Sequence, residues 1–315
     1  MGRLFVRQTG EALFFLFFLF FMTFGSFALL RFLPGDPVLT LLNIDELSAS
    51  PEQIEAVRQE LGFHEPLLAQ YIDWLSRVGR LDLGESFMTG RPVLLMLGES
   101  YRATFEIAGS GLVLALLVAV PLGTWSARSN RHVVRLTADG VSLIGAAVPS
   151  FWIGLVLTDW FAIRLPWLPV MGRDGALSVV LPAVSLSLAL ASVYIQLLRV
   201  NLQTELAKEY IQIAHARGIS EQTIFWKYAF RGSLPPVLAV FTLSLGSLAG
   251  GVVVLEVLFA YPGVGKLMVD AVLQRDYPLI QGYILVTTAI IVTLNVIMRL
   301  VTQHLRPDWR GGDVR

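Results

Sequence analysis

The sequence is poor in the residues that supply most protein chemistry. It has no cysteine, four histidines and 15% charged residues in 315 positions, whereas soluble domains carry about 25% charged residues. Without cysteine there is no disulfide framework, no thiolate metal site and no cysteine nucleophile. The formal net charge is zero, which argues against nucleic acid as a partner because surfaces that bind nucleic acid are basic.

Enzyme signatures are also missing. Neither His-Glu-x-x-His nor Gly-x-Ser-x-Gly occurs in the sequence, and these are the signatures of zinc proteases and serine hydrolases. Gly265 and Lys266 resemble the end of a phosphate-binding loop, but Ala260 and Leu267 replace the glycine and the hydroxyl residue that such a loop needs. We therefore expect that this chain is not an enzyme and that it binds no cofactor and no metal itself.

Apolar residues, by contrast, make up 55% of the sequence. Six runs approach the ~20 residues that a helix needs to cross a bilayer, at about 12–33, 103–125, 136–163, 178–198, 235–258 and 282–303. The first run is too long for a signal peptide and lacks a clear cleavage site. We predict an all-α polytopic membrane protein with six transmembrane helices, in which Pro121, Pro149 and Pro182 break or kink their helices.

Basic residues near the ends of these runs predict the orientation. With the N-terminus inside, the inner segments hold thirteen Lys and Arg residues, and the outer segments, taken as 34–101, 164–177 and 259–281, hold eight over a greater length. Cytoplasmic segments of membrane proteins carry the excess of basic residues. Both termini and the segment 199–234 are therefore expected in the cytoplasm.

Residues 34–100 form the one sizeable segment outside the apolar runs. Pro51 and Pro66 are placed to open two helices, and the second would carry its apolar residues on one side. These residues are Leu68, Tyr71, Ile72 and Leu75. Two interpretations stay open for this segment, namely a small solvated cap and a docking surface for another protein.

Residues 205–236 form a polar insertion between the fourth and fifth runs. Helical spacing predicts a helix before Gly218, which suits the positive φ at which many helices end. Ser220 can cap a second helix, with Glu221 in its first turn. The residues expected on the apolar face of the first helix are Leu202, Leu206, Ile213 and Ala216. The insertion is either an ordinary solvated loop or a docking element.

Acidic residues also occur within or at the ends of the runs. They are Glu106, Asp139, Asp159 and Glu256. We expect all four to lie near the membrane interface. Asp159 is the most buried of them by its position in the sequence, and it is the best candidate for a pore-facing group.

The polar insertion resembles the cytoplasmic coupling loop, or EAA motif, of bacterial ABC importer permeases, in particular those of the peptide and nickel branch. The residues that match are Glu209, Tyr210, Ala214, Ala216, Gly218 and Pro236. The glutamate of the strict motif falls on Gln212, and Gly232 stands where the branch usually has asparagine. We therefore expect Glu209 to make the ionic contact with the partner.

Two further regions resemble the same family. The sequences LPGDP at 33–37, LGFHEPLLAQYIDWL at 61–75 and DLGESF at 82–87 are similar to its amino-terminal part. Residues 256–281 are similar to its carboxy-terminal signature, and we expect them to form an outer half-helix and a turn that close the translocation path. The candidate residues for the path or gate are Asp159, Glu256, Pro262, Gly263 and Gly265.

The resemblance implies a type I ABC importer permease fold in the bacterial inner membrane. Residues 1–33 would form a tail and the first helix, 34–100 an extracytoplasmic helical segment, 101–303 the transmembrane domain with its coupling loop at 199–234, and 304–315 a cytoplasmic tail. The implied partners are a second homologous permease, an extracytoplasmic solute-binding protein, and two cytoplasmic ATP-binding subunits that hold ATP and Mg.

The substrate stays open at this point. Residues 151–172 are similar to the nickel-type members of the branch, and the apolar runs lack soft or imidazole ligands. A metal would therefore travel as a chelate with a small carrier molecule. Small peptides, opines and metallophores are the alternatives. A stand-alone channel or secondary transporter would need internal repeats or a ring of acidic residues, and neither is evident.

Overall fold

The structure is a computed structural model that describes residues 17–29, 51–60, 64–129, 131–250 and 252–305. In these ranges the regular secondary structure is helical, apart from one isolated β-bridge between Glu85 and Pro92. The helices are α1 (Phe17–Leu29), α2 (Pro51–Glu60), α3 (Leu67–Val78), α4 (Val93–Arg128), α5 (His132–Ala147), α6 (Ser150–Leu157), α7 (Val180–Leu206), α8 (Glu209–Ala216), α9 (Glu221–Ala249), α10 (Val253–Leu258), α11 (Val264–Leu273) and α12 (Tyr277–Leu305). The expected all-α class is confirmed.

Several of these helices can cross a membrane. In the described part of the chain, four are long and apolar enough, namely α4, α9, α12 and α7 together with the 3-10 turn Ala176–Val179 that precedes it. A fifth candidate is the pair formed by α5 and by α6 with its π-helical extension Thr158–Arg164, which is bent by 101°. The first expected span, 12–33, lies partly outside the described residues, and α1 is its described part. The count of six spans stays a prediction.

Pro149 divides the third expected span into two helices. Val148 and Pro149 are both extended, with ψ of 123° and 139°, because a proline disfavours the helical conformation of the residue before it. The predicted break is confirmed at this position. Neither Pro121 nor Pro182 interrupts its helix, since α4 continues through Pro121 and Pro182 lies in the first turn of α7, where no N–H donor is needed.

Two other expected spans have different ends. α4 begins at Val93 rather than at residue 103, because its first turns supply buried residues to a helical core. α9 begins at Glu221, inside the polar insertion, and ends at Ala249. Val252 is then non-helical, with φ −97° and ψ 59°, and α10 is a separate short helix. The second helix of the insertion and the fifth span are therefore one helix.

The chain divides into two compact units. The first comprises residues 1–102 and 263–292, and its larger core includes Leu97 and Tyr101 of α4 and Ile280 of α12. Asp276 is buried there and accepts hydrogen bonds from the Ser86 hydroxyl (2.5 Å) and the Phe87 N–H (3.1 Å). This carboxylate joins the DLGESF sequence to the turn before α12.

The second unit comprises residues 103–262 and 293–315 and is centred on α7, which contacts α5, α6 and α9. The helices lie very close together where glycines face α7. A Cβ atom on Gly145 of α5 would collide with the Leu188 carbonyl oxygen, and one on Gly123 of α4 would come within 2.9 Å of the Leu198 Cβ. Such close contacts let membrane helices pack without large side chains between them. The last turn of α7 leads directly to α8.

Candidate functional site

The short helix α8 lies in a corner between α7 and α9. Its buried residues, Ile211 and Ala214, share one apolar cluster with Leu202 of α7 and with Ile224 and Phe225 of α9. The polar insertion is thus a packed helical corner, in which α8 is held by the ends of two long apolar helices. The interpretation as an ordinary solvated loop does not describe it.

The predicted apolar face of the first helix is partly wrong. Ile213 and Ala216 are exposed, and Ile211 and Ala214 take the buried positions. The reason is a break in the helix at Lys208, whose backbone is extended (φ −72°, ψ 149°). Because the chain restarts as α8 after this break, the spacing counted from Leu202 no longer applies.

Gly218 ends α8 as predicted. Its φ is +76°, and its N–H donates to the His215 carbonyl at 2.9 Å, while the Ile219 N–H donates to the Ala214 carbonyl at 3.2 Å. These two bonds form the Schellman arrangement that satisfies the last carbonyls of a helix. A Cβ atom at Gly218 would meet open space, so glycine is favoured there by the backbone conformation and not by crowding.

Ser220 occupies the predicted N-cap position of α9. Its backbone is extended (φ −64°, ψ 144°), and Glu221 follows in the first turn. The hydroxyl, however, donates to the side-chain oxygen of Thr223 at 2.9 Å and makes no bond to a backbone N–H. Pro236 lies inside α9 and is exposed.

Glu205, which sequence reasoning missed, is the polar centre of this corner. It lies in the last turn of α7 and is only 8% exposed. Its carboxylate accepts a hydrogen bond from the Tyr210 hydroxyl at 2.9 Å and forms an ion pair with Lys208. The same side chain fills the space that a Cβ atom on Gly232 of α9 would need. The one signal in the sequence was the unusual glycine at position 232.

This arrangement fixes the protonation state of Tyr210. Partial burial, and to a smaller extent the Glu205 carboxylate, raise the pKa of the Tyr210 hydroxyl above its ordinary value. The hydroxyl therefore stays protonated and donates to Glu205. Glu209, the predicted ionic contact, is exposed at the start of α8.

A second group of charged residues involves α10 and the segment after it. Glu256 is fully buried, and it accepts a hydrogen bond from the Thr104 hydroxyl at 2.6 Å. The expectation that Glu256 lies at the membrane interface stays a prediction. The ranking of Asp159 as the most buried acid is wrong within the protein, because its side chain is 43% exposed and pairs with Arg164 at 2.8 Å. The position of an acid along an apolar run does not reveal which way its side chain faces.

Glu106 connects two loops next to this group. Arg173 donates to its two carboxylate oxygens at 2.8 and 2.5 Å, and the Tyr261 hydroxyl donates at 2.9 Å. Burial and the nearby carboxylate raise the pKa of Tyr261 to about 12, so its hydroxyl stays a donor. The Gly172 N–H also donates to the Phe259 carbonyl at 2.9 Å. The segment around Arg173, which the sequence did not indicate, is thus held against the one around Tyr261.

The other candidate residues for the path are one proline and two glycines that follow one another in the chain. Pro262 is exposed at the end of the second unit. Gly263 is the N-cap residue of α11, and Gly265 is buried in the first turn of that helix, both within the first unit. The roles of these residues stay predictions.

Comparison with known families identifies the chain. Residues 119–311 match the family described as binding-protein-dependent transport system inner membrane component, and residues 1–110 match the amino-terminal family of such membrane components. A probable peptide ABC transporter permease protein of Sinorhizobium fredii is 34% identical over 90% of this chain and 92% of its own length.

Two relatives from Staphylococcus aureus are similar over comparable lengths. A nickel import system permease protein is 34% identical over 90% of this chain and 85% of its own. A metal-staphylopine import system permease protein is 29% identical over 88% of this chain and 89% of its own.

A solved structure supports the fold. An inward-facing MetNI methionine ABC transporter aligns with a TM-score of 0.54 and 13% identity, covering 67% of this chain and 97% of the other. The chain therefore belongs to the family of inner membrane components of binding-protein-dependent transport systems, and it is a permease subunit of an ABC importer with the type I permease fold.

Proposed function

We propose that this chain forms one half of the translocation path of an ATP-driven importer and that α8 receives the movement of the ATPase subunits. The observation that carries this proposal is the attachment of α8 to two long helices at once. Ile211 and Ala214 anchor it in an apolar cluster with residues of α7 and α9, and Tyr210 binds the Glu205 carboxylate of α7. A force applied to α8 is therefore passed to both helices.

The partners follow from the family and from the distribution of charge. The complete importer would contain a second homologous permease, an extracytoplasmic solute-binding protein and two cytoplasmic ATP-binding subunits. ATP and Mg would bind to the ATP-binding subunits, and this chain would contribute no catalytic residue. The excess of basic residues on the inner segments favours cytoplasmic termini and a cytoplasmic α8.

The exposed side of the corner suits a protein partner. It combines large apolar side chains with charged ones, as protein interfaces do with their apolar core and polar rim. The exposed residues include Glu209, Tyr210, Ile213, Arg217, Lys227 and Trp226. We assign the ionic contact to Glu209 and the end of the contacting helix to Gly218. Ala214 and Ala216 have small side chains, which keep the helix narrow.

Transport would follow from two positions of the helical bundle. When the ATPases close on ATP, they would move α8 together with the ends of α7 and α9. Helices that are packed as closely as α5 and α7 shift as rigid bodies rather than deform. The bundle would then alternate between outward-open and inward-open states around a site near the middle of the membrane.

The outer group of carboxylates would act at the gate rather than along the path. Glu256 is fully buried and bonded to Thr104, so it is placed to hold α10 in position and not to meet a substrate. Pro262, Gly263 and Gly265 would shape the turn that follows. Asp159 is partly exposed and stays our candidate for a group that faces the path.

We infer that the substrate is nickel bound by a small carrier molecule, or a small peptide. The relatives include permeases for peptide, nickel and metal-staphylopine import, so metallophores or opines are close alternatives. The chain has no cysteine, and its histidines lie outside the apolar runs. Soft or imidazole ligands are what a bare nickel ion would need, which favours the chelate.

The first prediction concerns Gly218. Replacing Gly218 with Asp should abolish substrate uptake while the protein still inserts into the membrane, because a charged side chain would protrude from the docking surface. The matched control is Gly90→Asp, since Gly90 also has a positive φ and open space around it, and both changes add strain of about 1–2 kcal/mol. Normal uptake by the Gly218 variant, or an equal loss in the control, would contradict the role of α8.

The second prediction concerns Gly232. Ala at this position should displace the Glu205 side chain, at a cost of about 1–3 kcal/mol for overpacking, and loosen α8 from α7, because Tyr210 of α8 is bound to that carboxylate. Uptake and the ATPase activity stimulated by loaded binding protein should both fall. Gly140→Ala is the control, because Gly140 is helical and faces open space.

A double-mutant cycle separates this contact from a general loss of stability. In a Glu205→Ala background the Gly232→Ala change should have little further effect, because the group it collides with is gone. If the loss in the double variant equalled the sum of the losses in the two single variants, Glu205 and Gly232 would not act together.

The third prediction concerns the substrate. In a strain that lacks the gene, reintroducing the gene should restore uptake of labelled nickel that is supplied with a small organic chelator. Uptake of free nickel should be restored to a lesser degree or not at all. Labelled dipeptide is the competing substrate in a parallel assay. Uptake of dipeptide without uptake of nickel in either form would assign the chain to peptide import and refute the nickel assignment.

A further inference from the structure

The helix α3 (Leu67–Val78) packs one side against α1. The ring of Tyr71 lies 5.7, 5.2 and 5.5 Å from the rings of Phe20, Phe24 and Phe27, measured between centroids. The Tyr71 hydroxyl is also 2.8 Å from the Thr23 hydroxyl, within hydrogen-bonding distance. Tyr71 therefore contacts α1 over two helical turns, and α3 runs beside it.

The helices next to α3 are apolar, and each is part of an expected or candidate membrane span. α1 is the described part of the long apolar run at 12–33. The same cluster includes Trp74 of α3 and Leu285 of α12, and α12 is long and apolar enough to cross a membrane. α3 is therefore packed against two apolar helices and does not stand apart from them.

A second side of α3 is apolar and uncovered in this chain. Leu68, Ile72 and Leu75 follow one another at helical spacing, and they are 61%, 64% and 43% exposed. The polar residues occupy the opposite side, where Asp73 and Arg77 form an ion pair at 2.9 Å. The predicted single apolar side is thus divided, with Tyr71 turned toward α1 and the three aliphatic residues turned outward.

We propose that this aliphatic face, formed by Leu68, Ile72 and Leu75, lies in the acyl chains of the leaflet that surrounds the carboxyl half of α1. A helix with one apolar and one charged side commonly lies in the membrane interface in this way. α3 would then lie along the edge of the bundle, with the Asp73–Arg77 side toward the headgroups and water.

The composition of the face favours lipid over a protein partner. Protein interfaces are anchored mainly by Trp, Tyr and Arg side chains. In α3 the two aromatic side chains, Tyr71 and Trp74, are buried against α1, and Arg77 lies on the polar side. Aliphatic side chains alone remain on the exposed face, and they need no partner other than hydrocarbon.

Site-directed spin labelling of the whole importer tests this proposal. Because the chain has no cysteine, single variants Leu68→Cys, Ile72→Cys and Leu75→Cys each give one labelling site in this chain, with cysteine-free partner subunits, and Asp73→Cys on the polar side is the matched control. The assembled importer is reconstituted in vesicles of phosphatidylethanolamine and phosphatidylglycerol. Collisions of the label with dissolved oxygen report acyl chains, and collisions with a water-soluble nickel complex report water.

The expected result is several-fold more oxygen than nickel-complex accessibility at positions 68, 72 and 75, and the reverse at position 73. Two results would overturn the proposal. High accessibility to the nickel complex at all four positions would mean that the face is in water. Low accessibility to both reagents, with an immobilised spectrum, would mean that a protein partner covers it. Three positions on one face keep the test decisive if one variant assembles poorly.

Discussion

The Glu205 carboxylate is the contact on which the arrangement of the helical corner around α8 depends. A buried carboxylate is costly unless its oxygens are satisfied, and here Tyr210 of α8 and Lys208 supply the partners. The carboxylate itself occupies the space above Gly232 of α9. One side chain of α7 therefore fixes the positions of two neighbouring elements, and a larger residue at position 232 would not allow it. The unusual glycine and the buried glutamate explain each other.

The part of the same unit around α10 is also fixed by carboxylates, but in a different way. Glu256 and Glu106 face hydroxyl groups and an arginine, and they join loops and the short helix α10 to α4. Between the two ends the helices are in close contact at glycines such as Gly145. A bundle with tightly packed helices and polar contacts at its ends is suited to moving between discrete states rather than bending continuously.

Local patterns in the sequence predicted the local features well. Hydropathy predicted the helical membrane class. Pro149 predicted the break in the third expected span, and Gly218 predicted the end of α8 with a positive φ. The failures concern side-chain surroundings. The pairing of Glu205 with Gly232 requires two distant segments to meet. The burial of Glu256 depends on which side of its helix it occupies, and depth along an apolar run carries no such information. The break at Lys208 shifts the apolar face of α8, and it could not be predicted because no proline or glycine marks it in the sequence.

The central claim is that α8 moves as one body with α7 and α9. Pulsed electron paramagnetic resonance measures this directly, with spin labels on cysteines placed at the exposed positions Gln212 of α8 and Gln222 of α9 in the assembled importer. The account predicts the same distance distribution between the two labels in the nucleotide-free and the ATP-bound states, while the distance from Gln212 to the same position in the second permease changes. A shift between α8 and α9 on ATP binding, larger than the width of the distribution, would contradict it.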